Sequence, residues 1–309
     1  MFNHISVLLD ECIEGLSIKK DGIYVDATIG GAGHSYHILK ELSPKGLLIG
    51  FDQDQVALEA SREKLSSLSP QFKLIHSNFA SLKEELAKIG VSQVDGFLFD
   101  LGVSSVQFDE SDRGFSYRFD ARLDMRMNKE NDLDAYKVVN TYSKEELTKI
   151  FYEYGEEKFS RNIATKIVER RKISPIETTF ELVDVIRSAL PSSVLREKGH
   201  PAKKVFQAIR IEVNRELDVL KEGLRDALEL LKKGGRICVI TFHSLEDRIV
   251  KEMFKEKCEN AWNKNMPFKL EENKSEYRLV NKKPIVAKES ELEVNNRAHS
   301  AKLRIIERV

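Results

Sequence analysis

Apolar residues in the first hundred positions fall in short runs separated by longer stretches of helical period. Ile23-Tyr24-Val25, Leu47-Leu48-Ile49, Phe72 to Ile75 and Gly96-Phe97-Leu98-Phe99 read as four strands. Val56 to Leu65 and Ser81 to Ile89 read as helices between them, with Ser81 and Glu84 spaced as a capping box. Short continuous apolar strands alternating with helices predict parallel βαβ units, the sheet covered on both faces.

The alternation stops near Gln107. From Ser143 to Asn214 the period is helical throughout. It runs through Leu147, Ile150, Phe151 and Tyr154 behind the capping box Ser143–Glu146, then Ile163, Ile167 and Val168, then Leu182, Val183, Ile186 and Leu190. A helix with Leu217, Leu220, Leu224, Leu228 and Leu231 resumes the α/β pattern, followed by Lys232-Lys233-Gly234-Gly235 and a strand from Arg236 to Phe242. Tyr277 to Val280 and Leu303 to Ile306 are two further strand candidates. The pattern predicts one α/β domain, residues 1–108 and 216–309, interrupted by an all-helical insertion at 109–215 that serves substrate recognition.

Composition narrows the class. Of 309 residues, 41% are hydrophobic and 32% charged, a globular balance that excludes intrinsic disorder. No apolar run approaches the roughly 18 residues of a membrane span, and no signal peptide is evident. Cys12, Cys238 and Cys258 are odd in number and lack metal-ligand spacing. We therefore expect no disulfide framework, no metal and a cytoplasmic setting. Fifty basic residues against fifty acidic ones argue at first against a nucleic-acid partner. The average hides unlike regions. Lys158 to Lys172 holds six basic residues and one acid, and Arg196 to Glu216 six against three. Both tracts lie in the insertion, which suits a local, salt-sensitive RNA contact.

Candidate chemistry gathers at strand ends. Val25-Asp26-Ala27-Thr28-Ile29-Gly30-Gly31-Ala32-Gly33-His34 is strand, glycine turn, then helix. Asp52 follows Gly33 by 19 residues at the end of the next strand, where a carboxylate can accept both hydroxyls of an adenosine ribose. The spacing is not G-x-G-x-x-G. Asp26, just before the turn, suits an ammonium better than a pyrophosphate, which favours S-adenosylmethionine over a dinucleotide. Asp100 ends the fourth strand. In a sheet of order 3-2-1-4-5, Asp26, Asp100 and the turn would share one crevice at the switch point, roofed by the insertion.

Four arginines lie between Arg113 and Arg126. Lys203, Gln207, Arg210 and Asn214 form one polar stripe of a helix whose buried side is Phe206, Ile209 and Val213. In His243-Ser244-Leu245-Glu246-Asp247, Ser244 reads as a helix N-cap with Asp247 at N3, and His243 as a candidate for the target pocket. Trp262 and Phe268 read as packing rather than base-stacking residues.

Six blocks, in order, resemble the RsmH (MraW) family. They are Gly30-Gly31-Ala32-Gly33-His34-Ser35, Asp100-Leu101-Gly102-Val103-Ser104-Ser105, Leu123-Asp124-Met125-Arg126-Met127, His200-Pro201-Ala202 with Phe206 to Asn214, Phe242 to Arg248, and Asn295-Asn296-Arg297 with Ser300 to Arg304. The likeness runs from His4 to the end of the chain. It implies a class I S-adenosylmethionine-dependent methyltransferase (Rossmann-like) core with an inserted all-helical domain. It further implies N4-methylation of a cytidine in the P-site, or decoding, region of 16S ribosomal RNA. Cofactor contacts are implied at Ala32, Gly33, His34, Asp52, Phe79, Asp100 and Gln107, beside Asp26 and Gly31.

We expect Asp100 to orient cofactor or amine, Ser104, Ser105 and His243 to serve the target, and Arg113, Arg126, Lys203, Gln207, Arg210 and Asn214 to meet RNA. The expected partner is 16S rRNA within a small-subunit particle, with no membrane and a homodimer left open. Ala32 replaces a usual glycine, although alanine is comfortable only at φ < 0. Val106, Asp112, Ala121-Arg122 and His299 are the other departures. Three readings compete: a methyltransferase acting on a protein or small molecule, a nicotinamide-dependent dehydrogenase, and a non-catalytic assembly factor.

Overall fold

A computed structural model of the chain describes residues 6–102, 111–259 and 275–309. Ser104, Ser105, Val106, Gln107, Trp262 and Phe268 lie outside the described residues.

The chain divides into two compact units, residues 1–102 with 217–309, and residues 103–216. The first is built on a seven-stranded sheet: β1 Ile23–Asp26, β2 Leu47–Asp52, β3 Phe72–His76, β4 Val94–Asp100, β5 Leu231–Thr241, β6 Tyr277–Leu279 and β7 Lys302–Arg308. Their order is β3-β2-β1-β4-β5-β7-β6. The first five are parallel, whereas β7 runs antiparallel to both β5 and β6. This is the order and sense of a class I methyltransferase sheet, in agreement with the fold expected from the sequence.

Side-chain alternation explains why both faces are covered. Val25, Ile49, Phe51, Phe97, Phe99, Ile237 and Val239 point to one face, where they meet Leu82, Leu86, Leu220, Leu224, Val250 and Phe254. Tyr24, Leu48, Leu98, Cys238 and Ile240 point to the other and meet Cys12, Leu16, Ile38 and Leu58. Helices Leu82–Lys88, Glu216–Leu230 and Ser244–Cys258 thus cover one face, and Leu9–Leu16, Gly33–Glu41 and Gln55–Ser66 the other. Burial of a side chain such as Phe97 contributes roughly 1.5–3 kcal/mol.

The helical unit has a core of its own, drawn from residues between Phe115 and Val213. Its helices include Ala135–Thr141, Lys144–Glu153, Ser160–Arg171, Thr179–Ala189 and Lys203–Asn214. The capping box Ser143–Glu146 forms as expected, and a second joins Thr178 to Glu181.

Two expected caps are corrected. Ser81 makes no capping bond, because it closes a 3-10 turn, Phe79–Ser81, that Asn78 caps by accepting the Ala80 N–H at 3.0 Å. Ser244 is the first residue inside its helix. His243 is the cap, its Nδ1 accepting the Glu246 N–H at 3.4 Å, and Glu246 rather than Asp247 stands at N3.

Candidate functional site

Three neighbouring parallel strands, β2, β1 and β4, end in Asp52, Asp26 and Asp100. Strand order reverses at β1, which pairs with β2 on one side and β4 on the other. Beyond the carboxyl ends of strands at such a point, helices diverge and leave a crevice.

The turn after β1 is held open by its own backbone. Gly30 takes φ +49° and Ala32 φ +53°. The alanine therefore adopts the left-handed conformation that a glycine would take without strain, at a cost of about 1 kcal/mol or more. It is fully buried, so surrounding packing enforces the geometry. At Gly33 an added Cβ would lie 1.9 Å from the Ser6 hydroxyl, whereas one at Gly31 would meet nothing within 4 Å. The Ser6 side chain crowds Gly33, and the space beside Gly31 is open to a ligand.

Asp52 ties this turn to β2. Its Oδ2 accepts the Gly30 N–H at 3.0 Å and its Oδ1 the Asp54 N–H at 2.9 Å. Each oxygen keeps a lone pair for a further donor. Burial pushes the Asp52 carboxyl up to about 6.

Asp26 is buried, its Oδ2 accepting the Ser35 hydroxyl at 2.7 Å and its Oδ1 the Thr28 N–H at 3.1 Å. Burial raises its carboxyl above the ordinary range. Thr28 also accepts the Asp100 N–H at 2.7 Å, which joins the turn to the end of β4. His34 donates through Nε2 to the Val7 carbonyl at 2.9 Å, since a carbonyl can only accept, and brings Nδ1 within 3.7 Å of Asp100 Oδ2. Asp100 Oδ1 is buried with no hydrogen-bond partner among the described residues. A buried acceptor of this kind is costly unless a ligand donor completes it. Thr28 and Ser35 escaped the sequence reading, although Thr28 follows Asp26 at the spacing of an Asx-turn.

Phe79 opens the 3-10 turn after β3 and packs edge-on against Phe99, ring centres 5.5 Å apart. His243 follows the end of β5, where it caps the next helix, and its Nε2 lies 3.1 Å from Glu246 Oε1. The structure thus collects Asp26, Gly31, Ala32, Gly33, His34, Asp52, Phe79 and Asp100 along adjacent strand ends of one unit.

In the helical unit the expected RNA residues divide sharply. Lys203 is exposed and Gln207 donates to the Tyr154 carbonyl at 2.9 Å. Arg210 grips Glu216 with two bonds of 2.8 and 2.9 Å. Asn214 is buried; its Oδ1 accepts the Met127 N–H, and its Nδ2 donates to the Met125 and Arg210 carbonyls. Arg113 is buried and donates to the Arg126 and Met127 carbonyls. Arg126 forks onto Asp124 at 2.8 Å on both arms and donates to the Lys129 and Asn131 carbonyls. The stripe is therefore not one solvent-facing line: Gln207 is tied to Tyr154, Arg210 to Glu216, and Asn214 to the loop in which Met125 takes φ +59°.

Among the described residues no helix is long and apolar enough to cross a membrane. A family model described as the MraW methylase family matches residues 1–309. Three curated relatives, from Lactobacillus delbrueckii subsp. bulgaricus, Lactobacillus acidophilus and Clostridioides difficile, are each 55% identical to this chain. Each match covers 100% of the chain and 99% of the relative, and each relative is called ribosomal RNA small subunit methyltransferase H. With its crevice of strand-end acids and a match along its whole length, the chain belongs to the MraW methylase family.

Proposed function

We propose that the chain transfers a methyl group from S-adenosylmethionine to N4 of a cytidine in the P-site, or decoding, region of 16S ribosomal RNA. The observation that carries this reading is the partnerless buried Asp100 Oδ1 at the switch point, an acceptor awaiting an N–H donor. The RNA target follows from kinship with ribosomal RNA small subunit methyltransferases along the full chain.

The residues fit the cofactor. The space beside Gly31 admits it, Asp52 offers lone pairs to the ribose hydroxyls, and Phe79 stands on the adjacent strand end for the adenine. Asp26 and Asp100 are the two strand-end acids beside the turn, and an α-ammonium placed there would favour their charged forms. S-adenosylmethionine supplies an electrophilic methyl carbon on a sulfonium.

N4 of cytosine is a weak nucleophile, its lone pair delocalised into the ring. No side chain needs to attack, and in-line placement supplies most of the acceleration. Asp100 Oδ1 accepts an N4–H, which turns the lone pair out of the ring plane, and would take that proton as the N4–carbon bond forms and the sulfonium carbon–sulfur bond breaks, leaving S-adenosylhomocysteine and N4-methylcytidine. His34, anchored on the Val7 carbonyl through Nε2, stands beside this carboxylate with Nδ1 3.7 Å from its other oxygen.

The helical unit supplies RNA contact through exposed cations, Lys158, Arg161, Lys166, Lys172 and Lys203. The substrate is a small-subunit particle in the cytoplasm. The test incubates the protein with labelled S-adenosylmethionine and particles from cells lacking it, then digests the RNA for mass spectrometry. Label in N4-methylcytidine of 16S rRNA is expected; label in another nucleoside or in ribosomal protein would overturn the reading.

A further inference from the structure

The end of β5 carries a cation–π pair beside the acceptor. Asp100 pairs with Ile240 across β4 and β5, and the Leu101 N–H donates to the Ile240 carbonyl at 3.1 Å. Phe242, two residues beyond Ile240, therefore stands next to Gly102. A Cβ at Gly102 would lie 3.6 Å from the Phe242 ring, and Gly102 itself takes φ +97°. The Phe242 N–H donates to Glu246 Oε2 at 2.8 Å, so the helix cap that follows fixes the ring's backbone.

The guanidinium of Arg297 lies over this ring, 5.6 Å from its centre. Its own support is equally rigid. Asn295 is buried and caps the 3-10 turn Asn296–Ser300 by accepting the Arg297 N–H at 3.2 Å, while Ala298 and Ala301 anchor that turn in the core. Both planar groups are half-buried and belong to the same unit as Asp100.

Resting on the proposed reaction, we infer that Phe242 and Arg297 form the platform for the target nucleotide, the base stacking on the Phe242–Arg297 pair and Arg297 contacting a flanking phosphate. The chemistry asks for such a surface. N4 lies on the Watson–Crick edge, so the base must leave its stack to meet a methyl carbon in line. An extruded base is held by stacking on an aromatic ring or a guanidinium plane. Arginine adds a fork matched to phosphate. Following β5, this pair adjoins the end of β4 and stands two strands from the turn after β1 and three from Asp52 on β2, beside the acceptor rather than the ribose site, as a target platform requires.

The test uses the full chain, methyl-accepting small-subunit particles and S-adenosylmethionine. Phe242→Leu is expected to lower kcat/KM for the particle about tenfold, in line with loss of one base–aromatic stack. Calorimetric affinity for S-adenosylmethionine should stay within about twofold, and Phe242→Tyr should recover most of the loss. Arg297→Gln should reduce the slope of log KM against log salt by about 0.7, as for one lost single-strand phosphate contact. Equal kcat/KM in wild type and Phe242→Leu, an unchanged salt slope in Arg297→Gln, or a parallel fall in cofactor affinity would each overturn the platform. Should Phe242→Leu fail to fold, the Arg297→Gln slope decides. If wild type itself places no methyl on cytosine, the reaction reading falls and takes the platform with it; if wild type methylates and the variants match it, only the platform falls.

Discussion

Asn214, Arg126 and Arg210 of the helical unit and Asp100 and Asp52 of the sheet unit differ in what the fold leaves them. In the helical unit Asn214 makes three hydrogen bonds, Arg126 four and Arg210 two to a carboxylate, which leaves these groups committed to the fold. In the sheet unit Asp100 keeps a buried oxygen with no partner among the described residues, and Asp52 accepts one N–H on each oxygen. A polar residue in a motif thus marks a ligand site where the fold leaves bonding capacity over, and a structural joint where it does not. The same contrast separates the glycine turn, with open space beside Gly31, from the Met125 loop, whose backbone Asn214 holds.

Four substitutions probe this contrast. Asp100→Asn removes the charge from the partnerless acceptor. Methyl transfer in single turnover should fall by about 10²-fold or more, while the thermal midpoint stays near that of wild type. A rate within threefold of wild type would place the acceptor outside the chemistry.

Asn214→Ala should act in the reverse sense. It strands the Met127 N–H and the Met125 carbonyl in the core of the helical unit, so urea unfolding should show a loss of about 2–4 kcal/mol. S-adenosylmethionine affinity should hardly move; a selective loss of RNA affinity without destabilisation would instead make Asn214 a substrate contact.

Asp52 adds a pH test. Its carboxyl is raised to about 6, so the ligand-free fold favours the protonated form, and that contribution is lost as pH rises from the ordinary carboxylate range through 6. The ribose requires the opposite form, a carboxylate accepting hydroxyl hydrogens. Calorimetric affinity for the cofactor should therefore rise as pH increases from 5 to 7, and Asp52→Asn should flatten that rise. An unchanged slope would assign the titration elsewhere.

Ala32→Gly gives the smallest effect. Relief of a left-handed alanine should raise stability by about 1 kcal/mol, read as a higher midpoint in thermal unfolding. A lower midpoint would mean that the buried methyl contributes more by packing than its backbone loses by strain.

Much of the sheet unit was legible because its signals are local. Val25, Ile49 and Phe97 lie in continuous apolar runs since both sheet faces are covered, and Asp26, Asp52 and Asp100 follow those runs directly. The helix Ala135–Thr141 was missed; its cap, Asp134 to the Lys137 N–H at 2.8 Å, opens too short an apolar repeat to register as a period. Caps were misplaced by one residue at Ser244 because histidine is an uncommon cap and the choice rests on backbone angles. Ala32 takes a positive φ where alanine is uncomfortable, and only the packing around its buried methyl holds it there.

Period, strand-end acids and the order of motifs are properties of neighbours along the chain, and by themselves they determined the parallel sheet, the helical insertion and the acids that line the crevice. Which polar groups remain available was decided only by tertiary structure. Arg113 and Asn214 look no less functional in sequence than Asp100. Their fate depends on backbone groups that folding brings to them, the Arg126 and Met127 carbonyls for Arg113 and, from far away in the chain, the Met127 amide and Met125 carbonyl for Asn214, and a hydrogen bond's worth is set by what else competes for its partner.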